Sequence, residues 1–229
     1  MSVLLGVTLP RGAVLMADTL GTQLRPPTFD VRLSDRSKIV ALSDHVLGGL
    51  AGIRSGAEAI LVRLRDELDE LTTPERARDA QTRHTIEEWE TTRRVESLQD
   101  VGSFCIVSVL VGFLDGRAFL AANMRGSDRP DFPGVFIVGP GAWLIGANER
   151  SEQDTFYRRV RRLYRSVPAE TLANAMMTLG RDTLHGICQA RPSPVEALIV
   201  HKGEPPRRYV EAGEAWRECG AVYGTWAAR

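Results

Sequence analysis

The order of apolar runs in this chain predicts an α+β fold built as a four-layer α-β-β-α sandwich. Two observations carry that prediction. Short apolar segments rich in Val, Ile and Leu, separated by Gly, Pro and Asp turns, come in groups of four, three and two. Between the groups lie two pairs of longer segments whose apolar residues recur at helical spacing. The order ββββ, αα, βββ, αα, ββ therefore describes two sheets interrupted by two helical pairs. Each sheet then buries one face on the other sheet and its second face under helices.

The elements follow in order. Residues 3–9 and 13–17 read as a hairpin around Pro10-Arg11-Gly12, and Asp18 closes its second strand. A polar loop containing Pro26-Pro27 runs to about Ser37, and residues 38–42 and 46–51 form a second hairpin around Ser43-Asp44-His45. The period changes at Gly52. From Ser55, read as an N-cap, Ile60, Leu61, Leu64, Leu68 and Leu71 recur at helical spacing. Thr73-Pro74 opens a second helix, with Pro at the favoured first position, running to residue 98. Its apolar face is thin (Ala77, Ala80, Ile86, Trp89, Val95), which predicts partial exposure or cover by a partner chain. Strands return at 104–112 and 117–123 around an Asp115-Gly116 turn, and at 135–138 beyond Pro130 and Pro133. Helices over 142–164 and 168–188 and strands over 195–200 and 208–210 complete the pattern. The stretch from about 211 shows no assignable periodicity.

No linker divides the 229 residues, so residues 1–229 read as a single domain, and 43 % apolar residues suffice for a full core. A formal net charge of zero argues against a general nucleic-acid or membrane binder. No apolar run approaches the roughly 20 residues needed to cross a bilayer, and the first residues lack a signal-peptide pattern. A cytoplasmic protein is expected. Cys105, Cys188 and Cys219 are widely spaced and odd in number, which fits reduced thiols. There is no CxxC, and His45, His84, His185 and His201 form no i, i+4 pair, so neither metal nor cofactor is expected. The run Arg158-Arg159-Val160-Arg161-Arg162-Leu163-Tyr164-Arg165 invites a nucleic-acid reading. Its apolar members fall at helical spacing, however, which favours a solvated or subunit-contacting helix face.

Two features stand out chemically. Ser2 directly precedes an apolar strand, and removal of Met1 gives it a hydroxyl and a free α-amine on one residue, the minimum for an N-terminal nucleophile. Among 29 basic residues only Lys38 and Lys202 are lysines, which draws attention to both positions.

The stretch Ser2-Val-Leu-Leu-Gly6-Val followed by Gly12-Ala-Val-Leu-Met-Ala-Asp18-Thr resembles the opening of proteasome β-type subunits and the related bacterial HslV peptidase. Ser37-Lys38-Ile39 is similar to the family's Glu-Lys-Ile, and Gly49-Leu50-Ala51-Gly52 to its Gly-Ala-Gly turn before the first helix. The resemblance covers about the first 70 residues by motif, and extends to about residue 200 by element order. It implies an N-terminal nucleophile hydrolase fold in a divergent bacterial homologue of the proteasome.

The resemblance further implies a catalytic set of Ser2, Asp18, Lys38 and Gly52. Ser2 stands at the family's catalytic threonine, Asp18 and Lys38 at its acidic and lysine members, and Gly52 at its oxyanion-hole N–H. The chemistry is consistent. An α-amine with a pKa of about 7.7–8.0 can accept the hydroxyl proton near neutrality. A nearby ammonium favours the deprotonated nucleophile, and a carboxylate holds that ammonium in place. Arg, planar and never deprotonated, is a poor substitute for such a Lys. A backbone N–H aimed at the oxyanion contributes about 3 kcal/mol to lowering the barrier. Leu50, Arg54 and Glu58 fall where they would line the substrate pocket.

Departures are also visible. The nucleophile is Ser, not Thr. Gly139-Pro140-Gly141 resembles the family's Gly-Ser-Gly, whose serine helps bind the terminal amine, and Pro140 has no hydroxyl for that task. The family's later Asp and Ser have no clean counterpart: Asp182 follows Arg181 as in the family, but extra residues separate it from Ser193.

The expectation is a peptidase or amidase acting through an acyl-enzyme on Ser2. The resemblance implies a homo-oligomeric ring or double ring, a peptide or unfolded-protein substrate and an unfolding ATPase partner. Two alternatives stand beside it: a catalytically inactive structural or gating ring subunit, and a small-molecule amidase of the same superfamily.

Overall fold

Every described pair of neighbouring strands is antiparallel, and the strands fall into two main sheets and one short ribbon. The structure is a computed structural model. It describes residues 3–19, 21–23, 31–33, 37–94, 105–127, 134–145, 150–187 and 194–222.

In chain order, β1 (Leu4–Thr8) and β2 (Gly12–Asp18) form the first hairpin. The short strands β3 (Gly21–Gln23) and β4 (Val31–Leu33) pair with each other inside the stretch read from sequence as a loop. Next come β5 (Ile39–Ala41), β6 (Val46–Gly52), α1 (Arg54–Asp66) and α2 (Pro74–Thr92). The middle of the chain supplies β7 (Cys105–Leu114), β8 (Arg117–Gly126), β9 (Val135–Val138) and β10 (Gly141–Ile145). Last are α3 (Arg150–Ser166), α4 (Ala169–Ile187), β11 (Val195–His201), β12 (Arg207–Ala212) and β13 (Ala215–Ala221). The six-stranded sheet has the order β10-β1-β2-β11-β12-β13, and the five-stranded sheet runs β5-β6-β7-β8-β9.

The two-residue side-chain period of the strands sorts the core into three clusters. Val3, Leu5, Val7, Val14, Met16, Ala197 and Ile199 pack with Phe156 and Val160 of α3 and with Met176 and Leu184 of α4. Their strand neighbours Leu4, Leu15, Ala17, Leu198 and Val200 pack instead with Val107, Val109 and Leu120 of the five-stranded sheet. The outer face of that sheet, with Val46, Ile106 and Phe119, packs with Ile60, Leu64, Ala77 and Trp89 of α1 and α2. Gly6 permits the close approach of the sheets, since a Cβ there would lie 2.8 Å from Cδ1 of Leu120.

Several elements differ from expectation. Residues 142–145, expected to open a helix, lie instead in β10, which pairs with β1 from Thr8↔Gly141 to Leu4↔Ile145. Trp143 and Ile145 suit a pleated surface, and the pairing covers what would otherwise be an open edge of β1. The helix begins only at Arg150. Ser55 is not the N-cap of α1. The helix starts one residue earlier, at Arg54, with Ile53 in extended conformation and no side-chain cap bond. Thr73 does cap α2, accepting the Arg76 N–H at 3.3 Å. The stretch beyond 211 completes β12 and forms β13, an exposed edge hairpin whose weak burial explains its lack of an apolar pattern. Cys219 is an exposed free thiol, and Cys188 lies outside the described residues. On α3, Phe156 and Val160 face the core while Arg158, Arg159, Arg161, Arg162 and Arg165 are exposed. Among the described residues no helix is long and apolar enough to cross a membrane.

Candidate active site

The site is built where the end of β2 meets the start of β5. Asp18 is the last residue of β2 and Lys38 immediately precedes β5, and both are buried. The Lys38 ammonium donates to Oδ2 of Asp18 at 2.7 Å. The other carboxylate oxygen, Oδ1, accepts the backbone N–H of Val3 at 2.8 Å. That nitrogen is the atom to which residue 2 is covalently joined. Ser2 itself lies outside the described residues.

Lys38 is held from three directions. Its C=O accepts the Leu50 N–H of β6 at 2.8 Å, its own N–H donates to Oε1 of Glu196 at 3.0 Å, and its ammonium binds Asp18. The backbone therefore bridges the five-stranded sheet, through Leu50, to the six-stranded sheet, through Glu196. Lys202, the other lysine, is exposed in the turn after β11, so the two rare lysines occupy opposite environments.

Gly52 ends β6 with φ at +78°, and a Cβ there would meet the Cys105 C=O at 2.0 Å. Both constraints demand glycine. Ile53 N–H donates to the Cys105 C=O on the β7 side, and Leu50 N–H donates to Lys38 on the β5 side. The first turn of α1 begins two residues after Gly52 and adds the partial positive charge of a helix N-terminus.

Glu196 was not anticipated from sequence. It is fully buried on β11, in the row with Leu198 and Val200 that faces between the sheets. Its second oxygen accepts from the Arg208 guanidinium of β12 at 2.9 Å. The signal was present in Val195-Glu196-Ala-Leu-Ile-Val, where one carboxylate interrupts an otherwise apolar buried run.

Other expected members lie elsewhere. Pro140 is at the opposite end of β1: Thr8 Oγ1 donates to the Gly139 C=O at 2.6 Å, and Gly141 pairs with Thr8. Five residue steps, about 17 Å, separate Thr8 from Val3, so residue 140 does not stand where a terminal amine could meet it. The expectation that Gly139-Pro140-Gly141 replaces an amine-binding turn is therefore corrected. The register pairs Ile145, the last residue of β10, with Leu4. Asp182 lies within α4, largely exposed and bound by the neighbouring Arg181 guanidinium, and Ser193 lies outside the described residues.

Leu50, expected at the pocket wall, is 3 % exposed. It is buried in the cluster with α1 and α2, because its side chain takes the outer face of β6. Arg54 and Glu58 are partly exposed and ion-paired, and Arg54 also donates to the Ser37 C=O at 3.3 Å, which holds both beside Lys38.

Matched against models of known protein families, the chain finds no counterpart, and no curated protein is similar to it at a significant level. The functional reading therefore rests on the residues and their geometry.

Proposed function

We propose that the chain is a proteasome-like N-terminal serine hydrolase, a peptidase or amidase that acts through an acyl-enzyme on Ser2 once Met1 is removed. One observation carries the reading: Asp18 joins the Val3 N–H to the Lys38 ammonium inside a buried site. A buried Lys–Asp pair is costly to form, and structurally a well-packed apolar pair would serve as well. That the Asp18 carboxylate accepts from the nitrogen joined to residue 2 fits a chemical role. The three clusters described above also fit the four-layer α-β-β-α arrangement of the N-terminal nucleophile hydrolases.

In this mechanism the Ser2 hydroxyl attacks the scissile carbonyl carbon and its proton passes to the free α-amine. The Lys38 ammonium, oriented by Asp18, lowers the proton affinity of both groups. The Gly52 N–H donates to the oxyanion as the tetrahedral intermediate forms. Collapse expels the amine of the substrate, which takes the proton from the α-ammonium, and leaves an ester on Ser2. Water, deprotonated by the same α-amine, then attacks the ester carbon, and the α-ammonium returns that proton to Ser2 Oγ as the acid leaves. Arg54 and Glu58 flank the entrance as a mixed-charge wall.

The chain further fits a homo-oligomeric ring that encloses such sites. Exposed Val62 on α1 and Ile86 on α2 support a covered outer surface. Unfolded protein is the proposed substrate and an unfolding ATPase the proposed partner.

The test is hydrolysis of peptides by the parent chain and by Ser2→Ala. The expected result is loss of at least about 1,000-fold in kcat for Ser2→Ala. Undiminished hydrolysis moves the activity away from Ser2. A parent chain that keeps Met1 and hydrolyses nothing identifies an inactive ring subunit.

A further inference from the structure

The structure assigns Glu196 a role as the positioning residue for Lys38, with Arg208 as its counter-ion; the inference rests on the function proposed above. Three facts lead to it. Glu196 is 0 % exposed, yet both its oxygens are engaged, one by the Lys38 backbone N–H at 3.0 Å and one by Arg208 at 2.9 Å. Lys38 lies outside the regular pairing of β5, which begins at Ile39. The carboxylate thus holds the residue just before the strand, where backbone position is otherwise least fixed. Finally, Glu196 sits on β11 directly opposite Ala17, beside Asp18, so the strand that fixes the Lys38 backbone also flanks the residue that fixes its ammonium.

The device works by triangulation. Leu50 N–H and Glu196 hold the Lys38 main chain between the two sheets, and Asp18 holds the far end of the side chain. With both ends fixed, the ammonium is placed without freedom to swing. Both Glu196 oxygens are taken up by Lys38 N–H and Arg208, so its role is to position Lys38. Arg208, 41 % exposed at its side chain, offsets the buried negative charge and holds Oε2, which leaves Oε1 aimed at Lys38.

The prediction concerns rate, not affinity. A displaced ammonium slows acylation, while the pocket that binds the acyl group is untouched. The test measures acylation of the full chain by a β-lactone, followed as an adduct by intact mass, with the maximal rate constant separated from the half-saturating concentration. Glu196→Gln and Glu196→Ala both remove the charge, but only Gln keeps an oxygen for the Lys38 N–H. Glu196→Ala is expected to lower the maximal rate about 10- to 100-fold. Its half-saturating concentration should stay within about threefold of the parent. Glu196→Gln should retain a rate within about threefold of the parent, as the conservative replacement.

Should Glu196→Ala fail to fold, Glu196→Asp, one methylene short of Lys38, takes its place and must show the same split. Equal rates for the Gln variant and the truncated variant overturn the inference, as does an effect confined to half-saturation. The parent reading fails separately: a parent chain that forms no adduct, or a Ser2→Ala variant that still forms one, overturns the proposed function itself. A reactive parent with Glu196 variants of parental rate overturns only the positioning role.

Discussion

Nζ of Lys38 lies 2.7 Å from Oδ2 of Asp18, with the two side chains 4 % and 2 % exposed. An ion pair this dry stabilises little when intact, but breaking it leaves one charge without compensation, at a cost of about 3–5 kcal/mol. Asp18→Asn is therefore expected to destabilise the fold by roughly that amount and to abolish acylation. The double variant Asp18→Asn/Lys38→Met removes both charges and should recover most of the lost stability, with acylation still absent. Urea unfolding and β-lactone adduct formation measure the two properties separately. A double variant that regains activity with stability contradicts the assigned roles.

Gly52 is constrained twice, by φ at +78° and by the Cys105 C=O that a Cβ would meet at 2.0 Å. Because the obstacle is backbone, the start of β7 or the end of β6 must move. Gly52→Ala should lose about 2–4 kcal/mol from the combined left-handed strain and overpacking. Displacing the proposed oxyanion N–H should lower kcat about 100-fold or more. Chemical denaturation and peptide hydrolysis check the two effects; unaltered kcat in a destabilised protein would remove the N–H from the mechanism.

Pro140→Ser provides a sharp contrast between sequence motif and position. If residue 140 stood beside the terminal amine, a hydroxyl there would raise activity. The pairing of Gly141 with Thr8 places it at the other end of β1. Acylation by the Pro140→Ser chain is expected to stay within about twofold of the parent. A gain of tenfold would contradict the β1–β10 register.

Tyr164 of α3 donates to the C=O groups of Thr8 and Gly141, tying the helix to β1 and β10. Burial pushes its phenol well above the ordinary tyrosine range, against an opposing influence of the Gly141 backbone. Burial likewise raises Tyr157. A raised folded-state pKa means that the folded chain keeps a proton which the unfolded chain loses above about pH 10. The stabilisation is complete below that pH and is lost as pH rises toward the folded value. Tyr164→Phe should cost about 1–2 kcal/mol near neutrality through its lost hydrogen bonds. It should also show a shallower fall in urea midpoint between pH 9 and about pH 11 than the parent. Parallel pH profiles would contradict the assignment.

Much of this architecture was legible because strands buried on both faces read as apolar runs, as Ala13–Ala17 and Val195–Val200 do. The errors have physical causes. Gly141-Ala142-Trp143-Leu144-Ile145 is short and apolar, so its period cannot separate strand from helix, and only the open edge of β1 decides. The edge hairpin β12–β13 buries little and leaves no pattern to find. Asp18 and Lys38 were legible through a strand-ending carboxylate and a rare lysine, and the structure brings them together. Glu196 was not, because its partners lie just before β5 and on β12, which adjacency in sequence does not reveal. A tripeptide such as Gly139-Pro140-Gly141 carries no register, so its likeness to an amine-binding turn gave the wrong end of the strand.

In the proposed mechanism Ser2, freed of Met1, is a nucleophile served by Asp18, Lys38 and Gly52. The most direct measurement is the intact mass of the purified protein before and after exposure to an epoxyketone or β-lactone. The account predicts a mass lacking Met1 and a single added adduct, localised to Ser2 and absent from Ser2→Ala. A mass that retains Met1 and gains no adduct would contradict it.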